Sequence, residues 1–345
     1  MERWQKLYEE SLTSLEELAQ DHPIDIESLR PVIQRYPFRT TRSFLNLIRE
    51  KGDPIWRQII PDTRELEDEG LSPDPLNEGH LTLSPGLIHR YPDRVLLLVS
   101  STCPTLCRFC TRKNRMGTTG TCRKALGPML EYLGGRPAIR EVILSGGDPL
   151  LLTDDELEEI LSRLRKIPHL QVIRIHSRAP VTLPERITSR LCRMLKSFHP
   201  LYLNTQFNHP IEITPSSADA CRRLADAGIP LGNQTVLLRG VNDDPEVMKQ
   251  LMRNLLTIRV RPYYLHQMDL VKGTGHFRTS LRKGLEIMAH LRGNISGMAT
   301  PTYVIDLPGG KGKVPLQPDP IRREGHRCFL KSYLGEPVEY PEVEE

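Results

Sequence analysis

From about residue 94 onward the chain alternates short apolar runs with amphipathic stretches, and that alternation limits the fold more than any other feature. Strands are expected at residues 95–100, 141–144, 172–176, 201–205, 232–238 and 262–267. Helix-period stretches lie between them at 154–166, 184–197, 217–227 and 245–257. Such spacing predicts parallel strands joined by helical crossovers, as an open doubly wound sheet or a barrel. The chemistry-bearing runs choose between these. A cysteine-rich loop follows the first expected strand, Ser145-Gly146-Gly147-Asp148-Pro149 follows the second, and Asn204-Thr205-Gln206 ends the fourth. Gln234 sits within the fifth strand and Asp269 just beyond the sixth. Polar residues gathered at the carboxyl ends of successive parallel strands are what the active face of a barrel requires. Residues 1–80 read as mostly helical, with a Pro-, Asp- and Glu-rich stretch over 61–78.

The cysteine loop carries the strongest chemical signal. Cys103, Cys107 and Cys110 fall within eight residues, in C-x3-C-x2-C spacing. Three thiolates on one tight loop suit an iron–sulfur cubane with one iron left open, as a catalytic metal keeps a free position. The alternative is a structural zinc site with a fourth ligand such as His89 or Cys122. Zinc sites usually pair two short cysteine hooks, and a second hook is missing from the sequence. Three clustered cysteines cannot satisfy one another as disulfides. The odd total of seven cysteines fits a reducing compartment, so a cytoplasmic location is expected. The longest apolar run, 95–99, is too short to span a bilayer, and no apolar leader follows Met1. A net charge of +4 over 345 residues, scattered along the chain, gives no case for nucleic-acid binding.

Three further runs each allow a plain reading and a chemical one. Ser145-Gly-Gly-Asp-Pro would break a strand in any fold, and its glycines would equally permit close backbone approach to a ligand. Arg90 and Arg94 are four apart in His89-Arg-Tyr-Pro-Asp-Arg94; they suit either solvent or the forked recognition of a phosphate. Tyr303-Val-Ile-Asp306-Leu-Pro-Gly-Gly-Lys311-Gly-Lys313 ends an expected strand in an acid and continues as a Gly-rich loop with two lysines. That loop is either a mobile turn or a phosphate cradle whose lysine forms a Schiff base. It lacks the Ser or Thr of a Walker A loop.

C-x3-C-x2-C with Phe109 just before the last cysteine resembles the radical S-adenosylmethionine (SAM) superfamily. The resemblance narrows when the other blocks are included. Ser84-Pro-Gly-Leu-Ile-His-Arg-Tyr-Pro-Asp-Arg94, Asn204-Thr-Gln-Phe-Asn-His-Pro210, Arg261-Pro-Tyr-Tyr264 and Gly275-His-Phe-Arg278 are similar to blocks of the lysine 2,3-aminomutase family. The likeness runs from about residue 85 to 318. It implies an α/β fold, a partial (β/α)6 radical SAM barrel over 81–300, with a helical N-terminal region over 1–80 and a C-terminal segment over 301–345.

The resemblance also implies roles. Cys103, Cys107 and Cys110 would hold a [4Fe–4S] cluster, and Gly146, Gly147, Asp148 and Gln234 would help bind SAM. Lys313 would carry pyridoxal phosphate (PLP) as a Schiff base, with Arg90 and Arg94 on its phosphate. Arg112 would pair with the substrate carboxylate, and Asp269 and Asp306 would grip the side-chain ammonium of lysine. Two carboxylates on one ammonium satisfy a charge that is costly to bury alone. The implied reaction moves the α-amino group of L-lysine to the β-carbon, with an electron donor of flavodoxin or ferredoxin type. The alternatives within the family are arginine or ornithine as substrate, or formation of (R)-β-lysine for elongation factor P; the enzymes of that last group lack the Asp-x-Pro-Gly-Gly run. Outside it stand a radical SAM enzyme without PLP that acts on protein or RNA, and a non-catalytic iron–sulfur protein. The sequence resembles a short form without the family's C-terminal zinc extension, and Asp244 stands where long members place a zinc cysteine. Any homo-oligomer is therefore expected to form without intersubunit zinc. Lys311 replaces a family glycine, Gln206 a histidine and His266 a tyrosine.

Overall fold

The computed structural model describes residues 1–67, 70–115, 125–325 and 327–341; Cys122 lies outside them. Ten strands form the main sheet, hydrogen-bonded in chain order. β1 (Thr82–Ser84) and β2 (Leu87–Tyr91) are antiparallel to the next strand. Then come β3 (Arg94–Ser100), β4 (Glu141–Gly146), β5 (Val172–His176), β6 (Leu201–Thr205), β7 (Leu231–Leu237), β8 (Arg261–Gln267) and β9 (Thr302–Asp306), all parallel. β10 (Lys313–Pro315) turns back antiparallel on β9. The six expected strands are present, each within two residues of its predicted bounds. The acid-ending run at 302–306 adds a seventh parallel strand to the same sheet.

No backbone ladder joins β1 to β10, so the barrel is partial. Side chains and loop backbone bridge the seam instead. Gly309 N–H donates to Pro75 O at 2.8 Å, Lys313 N–H donates to Tyr91 Oη at 3.0 Å, and Arg90 reaches Asp306.

Period-2 alternation sorts each strand into two faces. Val95, Leu97, Val142, Leu144, Ile173, Ile175, Leu203, Leu237 and Leu265 are fully or almost fully buried beneath the helices. The other face carries Arg94, Glu141, Arg174, His176, Gln234, Tyr264 and His266, half-buried. A barrel packed for stability fills its interior with branched apolar side chains. This interior mixes those polar side chains with Leu96, Leu98, Ile143 and Val236, and it keeps partial exposure instead of being packed solid.

The crossover helices are α6 (Leu126–Gly134), α7 (Asp154–Arg165), α8 (Ala179–Thr182), α9 (Ser189–Lys196), α10 (Pro215–Asp226), α11 (Pro245–Thr257) and α12 (Leu281–Leu291). Thr153 caps α7 in a capping box with Glu156, and Asp244 caps α11 through the N–H groups of Glu246 and Val247. The single helix expected over 184–197 is instead two pieces. Pro184–Arg186 is a 3₁₀ turn, and α9 restarts where the Thr188 hydroxyl accepts from Leu191 N–H. An N-cap side chain in the middle of an apolar period supplies a new helix start.

Five short helices precede the sheet: Arg3–Glu9, Leu15–Asp21, Ile26–Arg35, Arg42–Leu45 and Pro54–Ile59. Their Leu12, Leu15, Val32, Phe44, Ile55 and Ile59 flanks join the same hydrophobic core as the barrel strands. A separate three-stranded sheet, β11 (Ile321–Glu324), β12 (Arg327–Lys331) and β13 (Pro337–Tyr340), ends the described chain. Among the described residues no helix is long and apolar enough to cross a membrane.

Candidate active site

The cysteine loop leaves the end of β3 and folds back on itself, with Cys110 N–H donating to Cys107 O at 3.1 Å. Cys103, Cys107 and Cys110 line one cavity of about 50 Å³ together with Tyr36, Thr105 and Lys113. Burial pushes the Cys103 and Cys110 thiols up, and neighbouring acidic and thiol groups add to it. Bound iron reverses that preference, because a coordinating thiol is deprotonated outright. Among the described residues no three His, Cys, Asp or Glu side chains meet around a single ion. A cubane takes each thiolate on a different iron, so thiols spread around a cavity suit it better than they suit zinc. His89, the other zinc candidate, is hydrogen-bonded to Tyr132 Oη at 2.8 Å.

Two buried ionic groups fix this loop. Glu65, fully buried, holds both Arg108 and Lys113, and Lys113 Nζ also donates to Gly273 O at 2.8 Å. Burial and the Arg108 charge bring the Lys113 ammonium down to about 7. On the other side Arg178, just past β5, donates from Nη1 to Cys107 Sγ at 2.8 Å and from Nη2 to Gln58 Oε1 at 2.6 Å. It lies 3.4 Å from the buried carboxylate of Glu212. A guanidinium so placed would stabilise the negative charge of a metal-bound thiolate and fix its orientation.

The loop after β4 packs directly on the cysteine loop. A Cβ on Gly146 would stand 2.2 Å from Ser100 O, and one on Gly147 2.3 Å from Thr102 O. Gly146 also has φ +128°, which L side chains avoid. Backbone strain and overpacking each cost about 1–3 kcal/mol. Gly146→Ala is therefore expected to destabilise the protein by about 2–6 kcal/mol in denaturant unfolding. Unchanged stability would remove the close-approach argument. Asp148 faces inward: its carboxylate accepts from Ser177 Oγ at 2.7 Å and from the N–H groups of Leu150, Arg178 and Ala179 at 2.9–3.0 Å. Burial raises its carboxyl, and those hydrogen bonds oppose the rise. Asp148 thus ties the β4 loop to the β5 loop with both oxygens engaged. Gln234 lies half-buried in β7, on the chamber face with Gly232 and Val236.

At the seam, Asp306 and Lys313 are direct cross-strand partners, and Lys313 Nζ lies 2.7 Å from Asp306 Oδ1. Arg90 Nη1 reaches the same carboxylate at 3.4 Å and His266 Nδ1 lies at 3.5 Å. Burial alone would raise Asp306; its contacts with His266 and Lys313 outweigh that and hold it at about 2. Asp269 behaves oppositely, lifted to about 7 by burial and by the Asp306 charge. Two neighbouring carboxyls are thereby split into one ionised and one titrating near neutrality. Burial lowers His266 and His176, so both stay neutral.

Lys311, by contrast with Lys313, is exposed on the loop. Arg90 keeps its buried Nε without a partner among the described residues, a donor aimed at an acceptor that a phosphate would supply. Arg94 instead pairs with Asp93 at 2.7 Å and stacks on Tyr91 at 3.8 Å. Gly309, Gly310 and Gly312 all have positive φ and shape the loop before Lys313. These residues fit a phosphorylated aldehyde cofactor.

Arg112 is held side-on by Glu78, Nε at 2.9 Å and Nη2 at 2.7 Å, with Nη1 3.4 Å from Ser145 Oγ. That leaves the Nη1 edge toward the glycine loop. Glu78 and Arg178 complete the site without any sequence signature, and His266, marked in the sequence only as a departure from the family pattern, joins them at Asp306. Glu78 ends an acidic stretch of ordinary appearance, and only the pairing of Ser72 with Val271 brings that stretch beside Asp269.

Residues 97–252 match the Radical SAM superfamily model, and residues 288–345 match the Lysine-2,3-aminomutase model. The chain is 48% identical over 323 residues to L-lysine 2,3-aminomutase of Fusobacterium nucleatum, covering 92% of this chain and 75% of that protein. It is 45% identical over 353 residues to the L-lysine 2,3-aminomutase of Clostridium subterminale, covering 98% and 84%. Glutamate 2,3-aminomutase of Clostridioides difficile is also 45% identical, over 317 residues, covering 90% and 75%. With three cysteines around one cavity, a glycine loop pressed against them and a lysine–aspartate pair at the seam, the chain belongs to the lysine 2,3-aminomutase family of radical SAM enzymes.

Proposed function

We propose that this protein converts L-lysine to β-lysine by moving the α-amino group to the β-carbon. One observation carries the choice of substrate: the chamber offers Asp269 and Asp306 together and a guanidinium, Arg112, as a separate charged group. A basic amino acid presents an ammonium to the first and a carboxylate to the second. An acidic amino acid would bring a third carboxylate beside two others and be repelled. Overall identity hardly makes this distinction, since the lysine enzymes stand at 45–48% and the glutamate enzyme at 45%.

When bound, the [4Fe–4S] cluster and SAM supply the radical that removes hydrogen from the β-carbon, and PLP carries the migrating nitrogen. Cys103, Cys107 and Cys110 hold the cluster, and Gly146 and Gly147 let backbone approach SAM. Asp148 fixes that loop, and Gln234 lines the same chamber. Arg90 offers its Nε to the PLP phosphate, with Arg94 supporting the strand through Tyr91. Lys313 is the lysine that the cofactor aldehyde engages; until then its Nζ rests 2.7 Å from Asp306 Oδ1. Arg112, kept in place by Glu78, orients the substrate carboxylate.

The Asp269 carboxyl gives a pH test. Its value of about 7 means that it is protonated below neutrality and ionised above. Only the ionised form attracts the substrate ammonium, so affinity rises with pH. KM for L-lysine is expected to fall about tenfold from pH 6 to pH 8, one decade for each unit below the titration point. Asp269→Asn should flatten that profile. A wild-type KM independent of pH, or a profile unchanged in the variant, would remove Asp269 from the ammonium site.

A further inference from the structure

The outer side of the cysteine loop is covered by the segment that joins the third and fourth N-terminal helices. Arg108 donates from Nη1 to Pro37 O at 2.9 Å, and Leu106 N–H donates to Arg39 O at 2.9 Å. Thr40 and Thr105 hydroxyls lie 3.4 Å apart. Tyr36 and Pro37 line the same cavity as the three cysteines, and Pro37 is exposed. This segment is thus the thin wall between solvent and the cluster site.

The wall is flanked by cations. Arg35 precedes it, Arg39 lies within it and Arg42 follows it, with no acid between residues 35 and 42. Arg35 and Arg42 are exposed. Arg39 lies over the Tyr8 ring at 4.7 Å and donates to Tyr8 O. Among the described residues none of Arg35, Arg39 and Arg42 forms an ion pair, although Glu9 and Glu10 lie nearby through the Leu12–Thr40 bridge. Exposed cations left without partners beside a redox centre cost little in stability and create a field that steers an anionic partner.

We propose that this arginine collar is the docking surface for an acidic one-electron carrier protein. The inference rests on reading Cys103, Cys107 and Cys110 as the cluster site. In the step, an anionic flavin hydroquinone gives one electron to the oxidised cluster and leaves as the neutral semiquinone. The cluster goes from the 2+ to the 1+ state, no proton moves and no bond in this chain forms or breaks. Complementary charge places the carrier on the wall nearest the cysteines, and salt weakens that placement.

The test is stopped-flow reduction of the reconstituted enzyme by an acidic flavodoxin hydroquinone, followed at the cluster absorption. In the unaltered protein the rate should fall as salt rises from 20 mM to 500 mM (about a fivefold shortening of the screening length). R35E/R42E should slow reduction at low salt about 10- to 100-fold, with R35K/R42K close to wild type. Reduction by dithionite and the EPR signal of the reduced cluster should be unchanged in both. A flavodoxin rate indifferent to salt and to charge reversal, or a flavodoxin that does not reduce the unaltered enzyme, overturns the proposal. Failure of the protein to give a reducible cluster with dithionite would instead overturn the reading of the cysteine loop.

Discussion

Lys313→Ala is expected to abolish conversion of lysine, by about 10³-fold or more, as removal of a covalent anchor does. The cluster should still assemble, because Lys313 lies on the antiparallel hairpin at the seam and the three cysteines lie on the loop after β3. Lys311→Ala should keep near wild-type activity. Geometry separates the two lysines: Lys313 reaches inward to Asp306 at 2.7 Å, whereas Lys311 is exposed. Absorbance of the bound aldehyde cofactor, read beside turnover, shows which lysine it engages. Full activity in Lys313→Ala would overturn the assignment.

Asp306→Asn should be nearly as damaging. The carboxylate serves Lys313, Arg90 and His266 at once, and it is almost fully buried. An amide keeps the shape and loses the charge, leaving two cations without their anion. Removing one partner of a buried pair costs about 3–5 kcal/mol. If the same energy is lost from the loaded site, kcat/KM falls about 10²- to 10⁴-fold, partly as weaker lysine binding and partly as a misplaced Lys313. Asp269→Asn at pH 8 should be milder, since among the described residues no cation forms an ion pair with Asp269, and Lys313 and Arg90 act on it only at longer range. Equal effects in the two variants would contradict the division of labour between an ionised and a titrating carboxyl.

The strand–helix alternation made the six central strands and three of the four anticipated crossover helices legible, because period and caps are local signals. Residues 184–197 were not, since Thr188 interrupts an apolar period that otherwise reads as one helix. The cysteine loop, the glycine run and the Asp306–Lys313 hairpin stood out because each breaks a local pattern in a chemically specific way. The direction of a carboxylate has no such signature. Gly-Gly-Asp-Pro says that an acid follows two glycines, but only packing turns Asp148 inward onto Ser177 and the 178–179 amides. Glu78 and Arg178 were hidden for a related reason. Each meets its partner across 34 or more residues of chain, Arg112 for the one and Cys107 for the other. His266 was visible as a residue out of place in the family pattern, and the structure gives it a partner in Asp306.

The two aspartates, Arg112 and Lys313 are proposed to serve an amine migration on lysine. The decisive test is an anaerobic assay of the reconstituted protein with SAM, PLP, dithionite and L-lysine, with amino-acid products resolved chromatographically. β-Lysine should accumulate while SAM is largely regenerated, with no product from L-glutamate. SAM cleavage without β-lysine, or turnover of glutamate in place of lysine, would contradict that role.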